Sequence, residues 1–303
     1  MAALAQGIFS AALTPLDANL NPDHAALVAH CRWLLANGCD GLAVLGTTGE
    51  ANSFTVDERL AILDALEEAG ISPEKLLPGT GCAAYPDTVR LTARVAKMGA
   101  KGALVLPPFY YKNVSDEGVY AAFARIIEGV GDSRLRLYLY HFPQMAMVPI
   151  NRPVLERLLK EFPGTVVGMK DSSGDLDHMC AIAKDYPGFS MLAGADDCLL
   201  PLLRAGGAGC ITAVSNVAAP LAAEVYKAFK AGGDPSQADA KLSAVRKAYA
   251  GHPLSAALKE TMARHTGNQN WRRVRPPLVN MPAVKADALA AELARIGFAP
   301  PPA

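Results

Sequence analysis

Lys170 ends the apolar run Thr165-Val166-Val167-Gly168-Met169, which brings a primary amine to the edge of a hydrophobic stretch. Desolvation at such a place favours the neutral amine, the form that attacks a carbonyl. The same lysine can equally snorkel to solvent or pair with a carboxylate. Tyr140 closes Leu135-Arg136-Leu137-Tyr138-Leu139. A phenol beside an imine relays protons while the carbinolamine forms and collapses, although a strand-end tyrosine is also an ordinary core or rim residue. Thr47 and Thr48 sit between Gly46 and Gly49. Backbone N–H groups and short hydroxyls there can face one anion, a nest suited to a carboxylate, or simply make a tight turn. Glu50 follows them and reads as a structural residue that bonds backbone or caps the loop.

For these groups to meet, the chain must carry them to one place. Eight short apolar runs lack period-two alternation and read as buried parallel strands: 7–15, 41–46, 76–81, 102–107, 135–142, 166–170, 189–194 and 209–214. Segments of helical spacing lie between them, at 23–37, 55–69, 85–98, 115–129, 152–162, 175–186 and 197–204. Thr55 and Glu58 form a capping-box signature, and Gly38, Gly70 and Gly99 are stop signals. Eight strands with helical crossovers predict an α/β fold, a (β/α)8 TIM barrel, whose reactive groups stand at the C-terminal strand ends. Thr47, Tyr140, Lys170 and Gly194 all fall at such ends. Helical patterns at 235–249, 254–265 and 283–296 follow the eighth unit, so residues 1–232 are assigned to the barrel and 233–303 to a C-terminal helical extension. An open doubly wound sheet is the competing architecture. Gly79-Thr80-Gly81-Cys82-Ala83-Ala84 matches its dinucleotide fingerprint, but the next strand ends in Leu106-Pro107 where that motif expects an acid.

Composition narrows the function. With 29 basic and 29 acidic residues, the formal net charge is zero, so there is no electrostatic footprint for nucleic acid or an anionic membrane surface. A small-molecule or protein partner is expected instead. The six cysteines form no C-x-x-C pair and read as reduced thiols of a cytoplasmic protein. No histidine spacing suggests a metal site, and no cofactor is expected. The first basic residue is Arg32, and Pro15 and Asp17 interrupt the apolar N-terminus early, which argues against a secretory leader.

Gly46-Thr47-Thr48-Gly49-Glu50, Tyr140, Gly168-Met169-Lys170-Asp171, and Gly206 to Ile211 with Ser215-Asn216 together resemble the dihydrodipicolinate synthase/N-acetylneuraminate lyase superfamily. The resemblance runs from about residue 7 to 278. It implies a class I aldolase in which Lys170 forms a Schiff base with pyruvate and Tyr140 relays protons. Thr47 and Thr48 would hold the pyruvate carboxylate, with Gly194 and Ile211 around the three-carbon unit. Phe109-Tyr110-Tyr111 resembles the family's aromatic pair, so Tyr111 is expected to reach a neighbouring subunit's site and link Thr47 to solvent. The resemblance also implies a homotetramer built as a dimer of dimers.

The sequence departs from the lysine-pathway synthase after Tyr140. That enzyme places an arginine there for the carboxylate of aspartate semialdehyde; this chain reads His141-Phe142-Pro143-Gln144-Met145. A thioether makes no bidentate ion pair. Ser172 shares a strand face with Lys170, and Asp196 and Asp197 follow Gly194 at the mouth. In sialic-acid and keto-deoxy-acid lyases such positions bind hydroxyls of the aldehyde portion, while either aspartate can instead cap the helix that follows. The expected reaction is reversible cleavage of a 2-keto-3-deoxy sugar acid or hydroxy-oxo acid to pyruvate and an aldehyde. Alternatives are 4-hydroxy-tetrahydrodipicolinate synthase with an altered clamp, a dehydratase of the same family, and a non-catalytic barrel that senses a 2-oxo acid.

Overall fold

The apolar runs pair side by side as parallel strands. A computed structural model describes residues 4–302, so the outermost positions of both expected domain spans lie outside the described residues. In chain order the elements are β1 (Gly7–Ser10), α1 (His24–Ala36), β2 (Gly41–Leu42), α2 (Val56–Glu68), α3 (Tyr85–Lys97) and β3 (Ala103–Val105). Then come α4 (Asp116–Val130), β4 (Leu137–His141), α5 (Pro143–Ala146), α6 (Arg152–Glu161), β5 (Val166–Asp171), α7 (Leu176–Asp185) and β6 (Ser190–Ala193). The chain ends with α8 (Leu199–Arg204), β7 (Gly209–Thr212), α9 (Ser215–Lys230), α10 (Ser236–Ala248), α11 (Leu254–Thr266) and α12 (Ala283–Arg295).

The sheet order is β2-β1-β7-β6-β5-β4-β3, all parallel, and the sheet curls so that its two edge strands face one gap. The expected strand at 76–81 fills that gap as a broken stave. Leu77 N donates to Leu42 O at 2.9 Å and Gly79 N to Val44 O at 2.8 Å on one side; Thr80 N donates to Leu104 O at 3.0 Å on the other. Pro78 has no N–H to continue the ladder, which is why only isolated bridges form there. The eight-stave TIM barrel is thereby closed. Two helices escaped the sequence reading, the single turn α5 and the long α9. The eighth crossover helix, α9, carries Pro220 and a non-helical Ala218 in an alanine-rich stretch, and these weaken both period and propensity.

Two cores follow from strand alternation. One lies between the staves and the helices and takes Leu13, Leu27, Ile62, Leu139 and Met169 among others. The other fills the barrel interior with Phe9, Leu77, Leu104, Tyr138, Leu192 and Ile211. Tyr138 lies two residues below Tyr140 on the same face. Its ring packs against Gly168, where a Cβ would approach it to 2.5 Å, so that position tolerates no side chain. Ala5 N donates to the Tyr138 hydroxyl at 2.8 Å, and Ser190 Oγ donates to Ala5 O. The segment before β1 therefore seals the barrel floor. At the opposite end Asn216 ties two strand ends together, accepting from Leu13 N at 2.9 Å and donating to Ala11 O and Ala213 O.

Candidate active site

Lys170 and Tyr140 are register partners on β5 and β4. Both side chains enter the barrel mouth, and both residues are 4% exposed. Lys170 Nζ lies 4.4 Å from the centre of the Tyr140 ring. Among the described residues Lys170 makes no ion pair and does not reach solvent freely, so neither bland reading of this lysine holds. The Tyr140 ring is stacked on Phe142, with centroids 5.8 Å apart, and its hydroxyl is 3.5 Å from Thr47 Oγ1.

The loop that carries Thr47 and Thr48 is fixed from below. Thr14 Oγ1 donates to Gly49 O at 2.8 Å, Glu50 N to Thr47 O at 3.1 Å, and Ala51 N to Gly46 O at 3.2 Å. Glu50 is structural, as expected. Its carboxylate pairs with Lys259 on α11 and accepts from Arg275 N at 2.9 Å. Lys259 was missed by sequence reasoning. No local pattern marks it, because the burial of the stretch 256–263 of α11 appears only in the fold.

Ile211 on β7 belongs to the barrel-interior core, and Gly194 follows β6 with its N–H donating to Asp171 O at 2.7 Å, beside Lys170. Ser172 Oγ lies against Gly194, at the spot where a Cβ there would go. The dinucleotide reading of Gly79 and Gly81 is replaced by packing: a side chain on Gly79 would strike Leu45 O, and one on Gly81 would meet Leu106 N at 2.7 Å.

Two expected positions, Asp196 and Tyr111, lie away from this cluster. Asp196 is 1% exposed and accepts from Thr212 Oγ1 at 2.7 Å, behind the strands. Its buried carboxylate is engaged by the Thr212 hydroxyl instead of facing the open mouth. Neither Asp196 nor Asp197 caps the short helices that follow; Asp197 is exposed. Tyr111 is 74% exposed, edge-on to Tyr110 at 5.3 Å, and makes no contact with Thr47 inside one chain. Met145, on α5, is 56% exposed. The mouth loops are linked to one another: Lys112 Nζ donates to Ala146 O at 3.0 Å, and Gln144 Nε2 donates to Ser173 O.

Burial raises the Asp196 carboxyl to about 6 from an ordinary 3.8, against the lowering effect of the Thr212 hydroxyl. With the folded value above the unfolded one, Asp196 contributes stability below the unfolded value and loses it as pH rises through about 6. Ionised, it costs the fold on the order of 3 kcal/mol at most. Asp196→Asn keeps an oxygen for Thr212 and is expected to raise the melting temperature at about pH 8, with a smaller gain at about pH 5. An equal shift at both pH values in thermal denaturation would count against a buried, ionising carboxylate.

His141, Asp171 and His178 were also missed; they sit directly behind Tyr140 and Lys170, with donor atoms within 4.8 Å of one another. His178 Nδ1 is 2.8 Å from Asp171 Oδ2, while Ser173 N donates to Asp171 Oδ1 at 2.7 Å. That bond to Asp171 raises the His178 pKa; burial lowers that of His141. His141 Nδ1 accepts from Ile150 N at 3.1 Å, which leaves the ring proton on Nε2 and no free lone pair for a cation. The trio is better suited to tying the ends of β4 and β5 to α7 than to holding a metal.

The family model of the dihydrodipicolinate synthetase family matches residues 4–296. The chain belongs to this family. A Chloroflexus aurantiacus protein named as an uncharacterised DapA-like lyase is 36% identical over 292 residues, covering 96% of this chain and 97% of the relative. The 4-hydroxy-tetrahydrodipicolinate synthase of Agrobacterium fabrum is 30% identical over 302 residues, covering 97% and 99%. Among solved structures, dihydrodipicolinate synthase from Agrobacterium tumefaciens superposes with a TM-score of 0.87 at 30% identity, over 97% of this chain and all of that one. YagE, a prophage protein of this family from E. coli K12 solved with pyruvate, gives 0.89 at 25% identity over 97% and 99%. Family membership makes the chain a lyase of the class I aldolase type. No helix among the described residues is long and apolar enough to cross a membrane.

Proposed function

We propose that the chain is a pyruvate-dependent aldolase that cleaves a 2-keto-3-deoxy sugar acid or hydroxy-oxo acid reversibly to pyruvate and an aldehyde. The observation that carries this reading is the buried Lys170 amine, free of ion pairs among the described residues, above the ring of a tyrosine whose hydroxyl faces Thr47. The Lys170 amine adds to the C2 carbonyl, and the carbinolamine loses water to give an imine. A base takes the C4 hydroxyl proton, the C3–C4 bond breaks, and its electron pair moves into the iminium. The aldehyde leaves; the enamine is protonated at C3; water then releases pyruvate and regenerates the amine. Tyr140 relays the protons of the first and last stages, with Thr47 beside it. Thr47 and Thr48 take the carboxylate, and Gly194 and Ile211 flank the methyl end. Ser172 and Asp197 remain as candidates for the hydroxyls of the aldehyde portion.

The second reading, 4-hydroxy-tetrahydrodipicolinate synthase, is favoured by the activity named for the Agrobacterium relative. Met145 opposes it, because the acceptor of that reaction carries a carboxylate and a thioether does not pair with one. A panel of 2-keto-3-deoxy acids, read by pyruvate release, set beside condensation of pyruvate with aspartate semialdehyde, separates the two. Cleavage of a polyhydroxylated substrate is expected to exceed condensation. Faster condensation would assign the synthase activity and leave the Lys170 chemistry in place; turnover of neither would favour a sensor barrel. The active form we propose is a homotetramer, supported by the exposure of the large aromatic rings of Tyr110 and Tyr111. Six unpaired cysteines support a cytoplasmic setting.

A further inference from the structure

The Thr47–Glu50 turn ends in a residue that the backbone alone does not favour. Glu50 has φ of 59° and ψ of 28°, a left-handed conformation in which a Cβ meets the following carbonyl. Its side chain holds it there. Glu50 and Lys259 form an ion pair in which both side chains are 0% exposed. The second carboxylate oxygen accepts from Arg275 N at 2.9 Å, and Lys259 Nζ also donates to Arg273 O at 2.7 Å. Arg275 fixes that segment to the barrel by donating to Leu20 O and Ser53 O, each at 2.8 Å, and to Glu58 at 2.9 Å. An unbroken chain of contacts thus runs from α11 through Glu50 to the turn bearing Thr47 and Thr48.

A buried ion pair is a poor choice if stability alone is wanted, because desolvation of both ions offsets their attraction and a packed apolar pair does as well. Here it meets a specific need. A carboxylate two residues from a nest that binds a second carboxylate would repel it. Lys259 neutralises that charge while Glu50 keeps the turn closed. We propose that the Glu50–Lys259 pair is a positioning element of the carboxylate nest, so that the C-terminal extension sets the affinity for the substrate's carboxylate. This rests on the reading of Thr47 and Thr48 given above.

The test uses borohydride trapping on the full chain with two probes, pyruvate and acetone, which both form an imine but only one of which carries a carboxylate. Lys259→Met leaves the Glu50 charge beside the nest, and the half-saturating pyruvate concentration should rise about tenfold or more. Glu50→Gln/Lys259→Met removes both charges at similar shape, folds without an uncompensated ion, and should leave a smaller rise of about threefold. Acetone trapping should be the same in wild type and both variants. If pyruvate and acetone trapping weaken together, the pair supports the barrel generally and the proposal fails. It fails also if the double variant, which remains measurable even when Lys259→Met does not fold, binds pyruvate as wild type does. Absence of a pyruvate adduct on wild-type Lys170 is a different result, which removes the underlying Schiff-base reading.

Discussion

Lys170→Ala is expected to abolish both reductive trapping and turnover. Pyruvate with borohydride should leave one adduct per wild-type chain, on Lys170, since reduction freezes the imine as a secondary amine. No neighbouring group can replace the amine. Tyr140 and Thr47 bring only hydroxyls, and the other fully buried lysine, Lys259, is held by Glu50 and the Arg273 carbonyl. The substitution should barely disturb the fold, because Lys170 sits at a strand end and forms no ion pair among the described residues. Peptide mapping of the adduct is decisive: labelling of another lysine, or residual turnover in the alanine variant above that of an empty preparation, sinks the assignment. Chelation should leave the rate unchanged, because the iminium is itself the electron sink.

Tyr140→Phe should lower kcat by roughly 10²–10⁴-fold, the range for loss of a positioned acid–base group. The expected loss is specific to the hydroxyl. Phenylalanine keeps the ring that stacks on Phe142 and lies under Lys170 Nζ, so melting behaviour should stay close to wild type. Imine formation slows because the carbinolamine must lose its oxygen without a proton donor 3.5 Å from Thr47 Oγ1. Single-turnover kinetics of pyruvate trapping distinguish this from a binding defect. An unchanged rate would remove Tyr140 from the mechanism.

The barrel was legible because its signals are local: apolar runs give staves, capping residues and glycines give helix ends, and strand ends carry the reactive groups. Strand-end position made Lys170, Tyr140 and Thr47 candidates, but each also read as an ordinary snorkelling, core or turn residue, and only the family resemblance implied a shared role for them. What stayed hidden depends on contacts distant in sequence. Asp196 reads as a mouth residue until Thr212, sixteen positions on, takes its carboxylate behind the strands. Lys259 reads as one more helical lysine until Glu50, over two hundred residues away, shows why it is buried. His141 and Asp171 follow Tyr140 and Lys170 in sequence, yet alternation turns them to the outer face, where α7 meets them through His178. Tyr111 is a further case, because its surroundings within one chain are mostly solvent.

The sealed floor beneath Tyr138 gives the barrel one doorway. Ala5 and Ser190 close the bottom, so every molecule that reaches Lys170 enters and leaves past Tyr140 and the linked mouth loops. A molecule tethered to Lys170 below the mouth loops cannot be overtaken. In the cleavage direction the aldehyde, lying above the imine, must depart before pyruvate is hydrolysed free. In the synthetic direction pyruvate must be seated first. Kinetic order is then a consequence of architecture: product inhibition by the aldehyde and by pyruvate should follow a strict first-out, last-out sequence, set by Tyr138, Ala5 and Ser190 well below the reacting carbon.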